Sequence, residues 1–130
     1  MGVQVGYTVE AHGNVEDVVE RLIKELSSQR FGILANIDVK KLIKEKLGQD
    51  MLGYVLLDVC NPLHAKKAID SHKEVGLVLP CKILVYEDNG RTLISLYRPT
   101  EAIKLLGYSD LAPLADEVEK QLEQAIVSAK

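Results

Sequence analysis

The chain has 130 residues, enough for one domain over residues 1–130 whose core needs no disulfide or metal to hold it. A hydrophobic share of 47% and a charged share of 27% exclude a disordered tail, a collagen-like chain and a disulfide scaffold. Sixteen basic against nineteen acidic residues leave a net charge of −3, which offers nucleic acid no electrostatic footprint.

The start, Met1 to Tyr7, has no basic region followed by a long apolar one, so it does not read as a secretory signal. Position 6 is Gly where a myristoylation signal needs Ser or Thr. Apolar runs are far short of the about twenty residues a bilayer span needs. The expectation is a cytoplasmic protein with no membrane contact, whose two cysteines, Cys60 and Cys81, stay reduced.

Residues 3–10 alternate, with Val3, Val5, Tyr7 and Val9 on one face, and predict a strand with one wet face. Asn14 then caps an amphipathic helix carrying Val15, Val18, Val19, Leu22, Ile23 and Leu26 and ending near Gln29. Phe31 to Ile37 reads as a second strand. Asp38 caps a shorter helix through Leu42, Ile43 and Leu47, stopped by Gly48. Residues 53–60 form a third strand, and their nearly continuous apolar run predicts a central position covered on both faces.

Asn61-Pro62 starts a third helix running to about Lys73, with Leu63, Ala65, Ala68 and Ile69 expected inside. Leu77 to Glu87 is expected to be extended, broken at Pro80. Asp88-Asn89-Gly90 marks a tight hairpin, because Asn-Gly tolerates the positive φ such turns require. Thr92 to Tyr97 returns as a strand, a helical turn follows near 100–106, and an amphipathic helix runs from about Leu111 to Ser128.

The order is β-α-β-α-β-α-β-β-α. Strict alternation would suggest a doubly wound α/β fold. The hairpin, the one-faced first strand and the lack of a glycine-rich phosphate loop favour another class. The expectation is an α+β two-layer sandwich: one mixed or mostly antiparallel twisted sheet with its helices packed on one face.

Ile37-Asp38 after the second strand, Asn61-Pro62 after the third, Leu79-Pro80 before the fourth and the hairpin that follows give the chain a resemblance. It resembles the domain of unknown function 302 family, small bacterial and archaeal proteins, over Tyr7 to about Gly107. The resemblance implies a compact α+β sandwich and no established activity. Many relatives carry Gly where this chain has Cys60, and an aliphatic residue where it has Cys81. Any thiol function is therefore implied for a subgroup only.

The candidate site is Cys60, Asn61, His64 and Cys81. Cys60 ends a strand directly before a helix N-terminus, where the dipole can favour thiolate, and His64 lies one turn on. If Cys81 sits on a neighbouring strand, the two sulfurs could approach. Against this stands the simpler reading that both cysteines are small buried hydrophobes and Asn61 is a cap. A metal reading is weak, because Cys60-x3-His64 is not a usual zinc spacing. A parallel arrangement of the third and fourth strands would also separate the cysteines.

Asp38 reads as an N-cap, and Asp58 as either facing a wet edge or anchoring a buried polar site. Lys40, Lys41, Lys44 and Lys46 read as a solvated helix face, as do Asp116, Glu117, Glu119 and Glu123. Arg98 reads as a surface strand exit. No nucleophile elbow, P-loop, Rossmann or kinase motif is present. The chain is read as a small binding or interaction domain that is not an enzyme and has no cofactor. The alternative is a thiol-dependent redox or metal-handling protein centred on Cys60. A homodimer is expected, because an open sheet face with few charges and several strand tyrosines (Tyr7, Tyr54, Tyr86, Tyr97) favours self-association.

Overall fold

Three side chains set the helix starts as the sequence predicts. Asn14 Oδ1 accepts from the Asp17 amide at 2.9 Å, Asp38 Oδ1 from the Lys41 amide at 3.0 Å, and Asn61 Oδ1 from the Leu63 and His64 amides at 3.0 and 3.3 Å. Each satisfies N–H groups that a helix leaves unpaired. The hairpin turn has Asn89 at φ 50° and Gly90 at φ 74°, the left-handed pair expected of Asn-Gly.

The computed structural model describes residues 4–130, so Val3 and the Met1-Gly2 start lie outside the described residues. The elements are β1 (Gly6–Ala11), α1 (Val15–Ser28), β2 (Gly32–Asp38), α2 (Val39–Leu47), β3 (Tyr54–Cys60), α3 (Pro62–Ser71), β4 (Cys81–Asp88), β5 (Arg91–Tyr97), α4 (Pro99–Leu106) and α5 (Ala112–Ala129). Two short 3₁₀ segments, Lys73–Val78 and Ser109–Leu111, complete the order. The first corrects the expectation that the chain is already extended from Leu77: the strand starts only at Cys81, after the Leu79-Pro80 step.

The sheet order is β1-β5-β4-β3-β2, and every neighbouring pair is antiparallel. This is the expected α+β architecture. The nearly continuous apolar run of β3 does not mark the centre, however. β4 is central and β3 lies beside the edge strand β2. Val55, Leu57 and Val59 of β3 point into the core, whereas Tyr54, Leu56 and Asp58 lie half-buried on the opposite face. There Tyr54 and Leu56 stand across from Tyr86 and Leu84 of β4, and these cross-strand neighbours cover one another.

β1 and β2 stand at opposite edges, so α1, which joins them, crosses beneath the whole sheet. Val18, Leu22 and Leu26 of α1 are fully buried, together with Leu122 and Ile126 of α5. They pack on the sheet face formed by Leu57, Ile83, Val85, Ile94 and Leu96, making the main core. Tyr7 belongs to this core face, so it is not available on the opposite one. A second, smaller apolar cluster of Ala68, Val75, Ile103, Leu111 and Ala115 lies between α3, the 3₁₀ segments, α4 and α5.

Candidate functional site

Because β3 and β4 are antiparallel, the end of one and the start of the next lie at the same end of the sheet. The connection between them, α3 and its following 3₁₀ segment, caps that end. The chain leaves β5 at the same end and enters α4. A small apolar cleft, with a cavity volume of about 70 Å³, runs along this junction. Its walls come from both cores: Phe31, Val59 and Val118 from the main one, Ala68, Val75 and Ile103 from the smaller.

The cleft exists because the helices turn small residues toward it. Ala65 and Ala68 of α3, Ala102 of α4 and Ala115 of α5 all line it. Residues 64, 65 and 68 share the inner face of α3 at spacings of one and three. This corrects the expected inner face: Leu63 and Ile69 point outward, and His64 points in. Ala65 and Ala68 stand as expected, whereas apolar identity alone misplaces Leu63 and Ile69, because the seam selects small side chains rather than large ones.

Cys60, Asn61, His64 and Cys81 all line the cleft, so the antiparallel pairing brings together the four residues that the sequence singles out. Cys81 stands directly across from Val59, the residue before Cys60. Asn61 is occupied as the α3 cap. His64 lies 6.2 Å from Phe31, ring centre to ring centre, and its Nε2 is 3.0 Å from Gln121 Oε1 of α5. Its Nδ1 is buried and has no hydrogen-bond partner.

The thiols are not activated as the helix-dipole argument expects. Burial pushes the Cys60 thiol up from its ordinary value. Cys81 is pushed up to about 11, chiefly by burial and further by the neighbouring Cys60. Desolvation penalises the charged thiolate, which opposes the effect of the helix dipole. His64 does not offset it, because Nδ1 has no partner and Nε2 is engaged by Gln121. At pH 7, iodoacetamide is expected to modify Cys81 about tenfold or more slowly than Cys60, since the attacking species is the thiolate. Mass spectrometry of the two peptides over time measures this, and equal rates would contradict it. Among the described residues, no group of three or more His, Cys, Asp or Glu side chains is arranged to hold a metal ion.

Asp58 lies on the sheet face opposite the main core and is paired with Lys82 Nζ at 2.8 Å, across from it on β4. The four lysines of the α2 region are exposed, as read. Arg98 and Glu119 depart from expectation. Arg98 Nε donates to Glu119 Oε2 at 3.3 Å, and Glu119, only 7% exposed, lies inside the fold rather than on a solvated face. The sequence does carry the signal for this: Glu119 falls four residues after Ala115 and three before Leu122, on the inner stripe of α5. No helix is long and apolar enough to cross a membrane among the described residues.

The family model described as "Domain of unknown function DUF302" matches residues 7–129, so the likeness runs through α5, beyond the Gly107 limit that the short motifs suggest. The chain is also similar to a solved structure, the crystal structure of an uncharacterized conserved protein DUF302 from Bacillus stearothermophilus. The identity is 32% and the TM-score 0.93, over 98% of this chain and 100% of that one. No curated protein matches the chain.

Proposed function

Because the chain belongs to the DUF302 family, whose description names no activity, its own geometry carries the functional reading, and we propose that it binds a small, largely apolar ligand in the cleft between α3, α4 and α5. The observation that supports this most directly is the ring of alanines, Ala65, Ala68, Ala102 and Ala115, on three separate helices. Larger residues there would close the gap and bury more apolar surface, each buried methylene contributing about 0.8 kcal/mol. An apolar gap is poorly hydrated, and an apolar guest gains by filling it. The reading is of a cytoplasmic binding domain without catalysis. Thiol chemistry is the weaker reading, because burial disfavours both thiolates.

Titration with toluene, followed by amide chemical shifts, tests the proposal. The expected result is saturable shifts concentrated at the four alanines, abolished in Ala68→Leu, which fills the cleft. Shifts spread evenly over the surface, or none up to the solubility of toluene, would sink it.

A second copy of the chain is the partner we propose for the opposite sheet face. The tilted ring pair Tyr54 and Tyr86, with centres 5.7 Å apart, and the adjoining Leu56 and Leu84 present amphipathic and apolar side chains there. Tyrosine is favoured at interfaces because it buries a large rigid ring and keeps a polar tip. Light scattering at tens of micromolar should give the mass of a dimer, and Tyr86→Lys should return it to a monomer. A monomeric mass for the unaltered chain would overturn this.

A further inference from the structure

At about 70 Å³ the cleft is smaller than the roughly 150 Å³ apolar cavity that accommodates benzene, so a one-ring guest needs a wall to move. Resting on the apolar-ligand reading above, we infer that α3 is the wall that moves and that His72 is the latch that holds it shut. The contacts of His72 with Tyr108 and Asp110 keep the cleft too small for its ligand, and their release admits it.

Of the three helices around the cleft, α3 is the one least held by packing. Ala68 is its only buried residue, whereas α4 buries Glu101, Ala102 and Ile103, and α5 buries Val118, Leu122 and Ile126 among others. Alanines remove little apolar surface from water, so a helix held by them opens at lower free energy than the core elements. Two histidines, one near each end of α3, tie it across instead. His64 Nε2 meets Gln121 Oε1 of α5 at 3.0 Å. His72, which follows the last residue of α3, stacks its ring on Tyr108, with centres 3.9 Å and planes 2° apart. Its Nε2 donates to the two Asp110 oxygens at 2.9 and 3.0 Å. Tyr108 and Asp110 connect α4 to α5, just before Leu111 and Ala115 of the cleft wall. The latch therefore joins one wall to the other, yet none of its three residues lines the cleft. β3 fixes the chain before α3, and fully buried Val75 fixes it three residues beyond His72, so the segment between them swings without unfolding the sheet.

A latch outside the cleft has a distinctive sign. Its removal raises affinity, because the form that accepts the ligand becomes more populated, whereas loss of a structural support would lower it. Hydrogen exchange of the unaltered chain, which needs no variant, should show the amides of residues 65–71 opening more readily than those of β4 and α5. In His72→Ala they should exchange roughly fivefold faster, the size of one exposed ion pair and one ring stack, with β4 and α5 unchanged. Toluene, followed by amide shifts, should bind His72→Ala more tightly by a similar factor. Asp110→Asn keeps the stack and an acceptor, and should move both readouts the same way by less. Amides of α3 that exchange only together with those of α5, or toluene binding that is equal or weaker in both variants, would overturn the latch while the cleft reading stands. Failure of toluene to bind any of the three proteins would overturn the cleft reading, and the latch with it.

Discussion

Replacing Glu119 with leucine is expected to destabilise the fold by about 2–4 kcal/mol, the cost of leaving the donors of a buried, charged acceptor unmatched. Glu119 Oε1 accepts from the Thr100 amide at 3.0 Å and from the Thr100 hydroxyl at 2.7 Å, while Oε2 accepts from Arg98 Nε. Arg98 occupies the cap position of α4 and makes no side-chain cap bond of its own. The carboxylate of α5 therefore does the capping of α4 from another helix, and its charge lies at the favourable end of the dipole. Leucine would fill the volume but leave the Thr100 amide and hydroxyl unmatched and Arg98 without its closest carboxylate. Glu119→Gln keeps an acceptor and should cost about 1–2 kcal/mol, in line with a charged against a neutral hydrogen bond. Urea unfolding of the three proteins measures both values. A loss under about 1 kcal/mol for the leucine variant, the size of one ordinary hydrogen bond, would mean that the network does not hold α4 to α5.

Alkaline pH should weaken the fold through Cys81. In the folded chain its thiol is pushed up to about 11 from an ordinary value of 9.0. Between those two values the unfolded thiol has lost its proton and the native one has kept it. The native state then binds more protons, so stability falls as pH rises. The contribution is complete below about pH 9 and is lost by about pH 11, and a shift of this size corresponds to about 2–3 kcal/mol. The informative quantity is a difference between two proteins that share every other titratable group. Unfolding free energies of the unaltered chain and Cys81→Ala, measured from about pH 8 to about pH 11, should converge by about this amount as pH rises. Parallel curves would show that the Cys81 thiol is not held neutral by the fold.

What could be read from the sequence is what is decided locally. Asn14, Asp38 and Asn61 cap their helices through amides two or three residues away, and Asn89-Gly90 makes its own turn. These features depend on neighbours within one turn of chain, so the sequence displays them. The four cleft residues were also legible as a group, because three of them surround the Asn61-Pro62 helix start. Whether Cys81 joined them depended on strand direction, which periodicity does not encode. The central place of β4 was hidden for the same reason. Ala65 and Ala68 stand on the inner face of α3 as expected, but Leu63 and Ile69, expected there for being apolar, are exposed, while polar His64 lines the cleft in their stead. Glu119 was missed because a carboxylate amid other carboxylates looks solvated, and its partners, Arg98 and Thr100, lie 21 and 19 residues away in the chain.

The sheet order has a consequence for how the chain comes together as it is synthesised. β2, β3 and β4 each pair with the next strand in sequence, so the β2–β5 meander can form as soon as its strands exist. β1 is made first, yet pairs only with β5, with Gly6 opposite Tyr97. Until residues 91–97 have been added, the first strand has no partner, and α1 has no completed sheet to cross. α5, which packs beside α1, comes later still. The earliest segment is thus among the last to be locked in, and closing so long a loop is the slow kind of step that depends on contacts distant in sequence. During that interval Val9, Val18, Leu22 and Leu26 remain accessible to solvent, which makes the segment from β1 through α1 the natural place for a nascent-chain chaperone to hold.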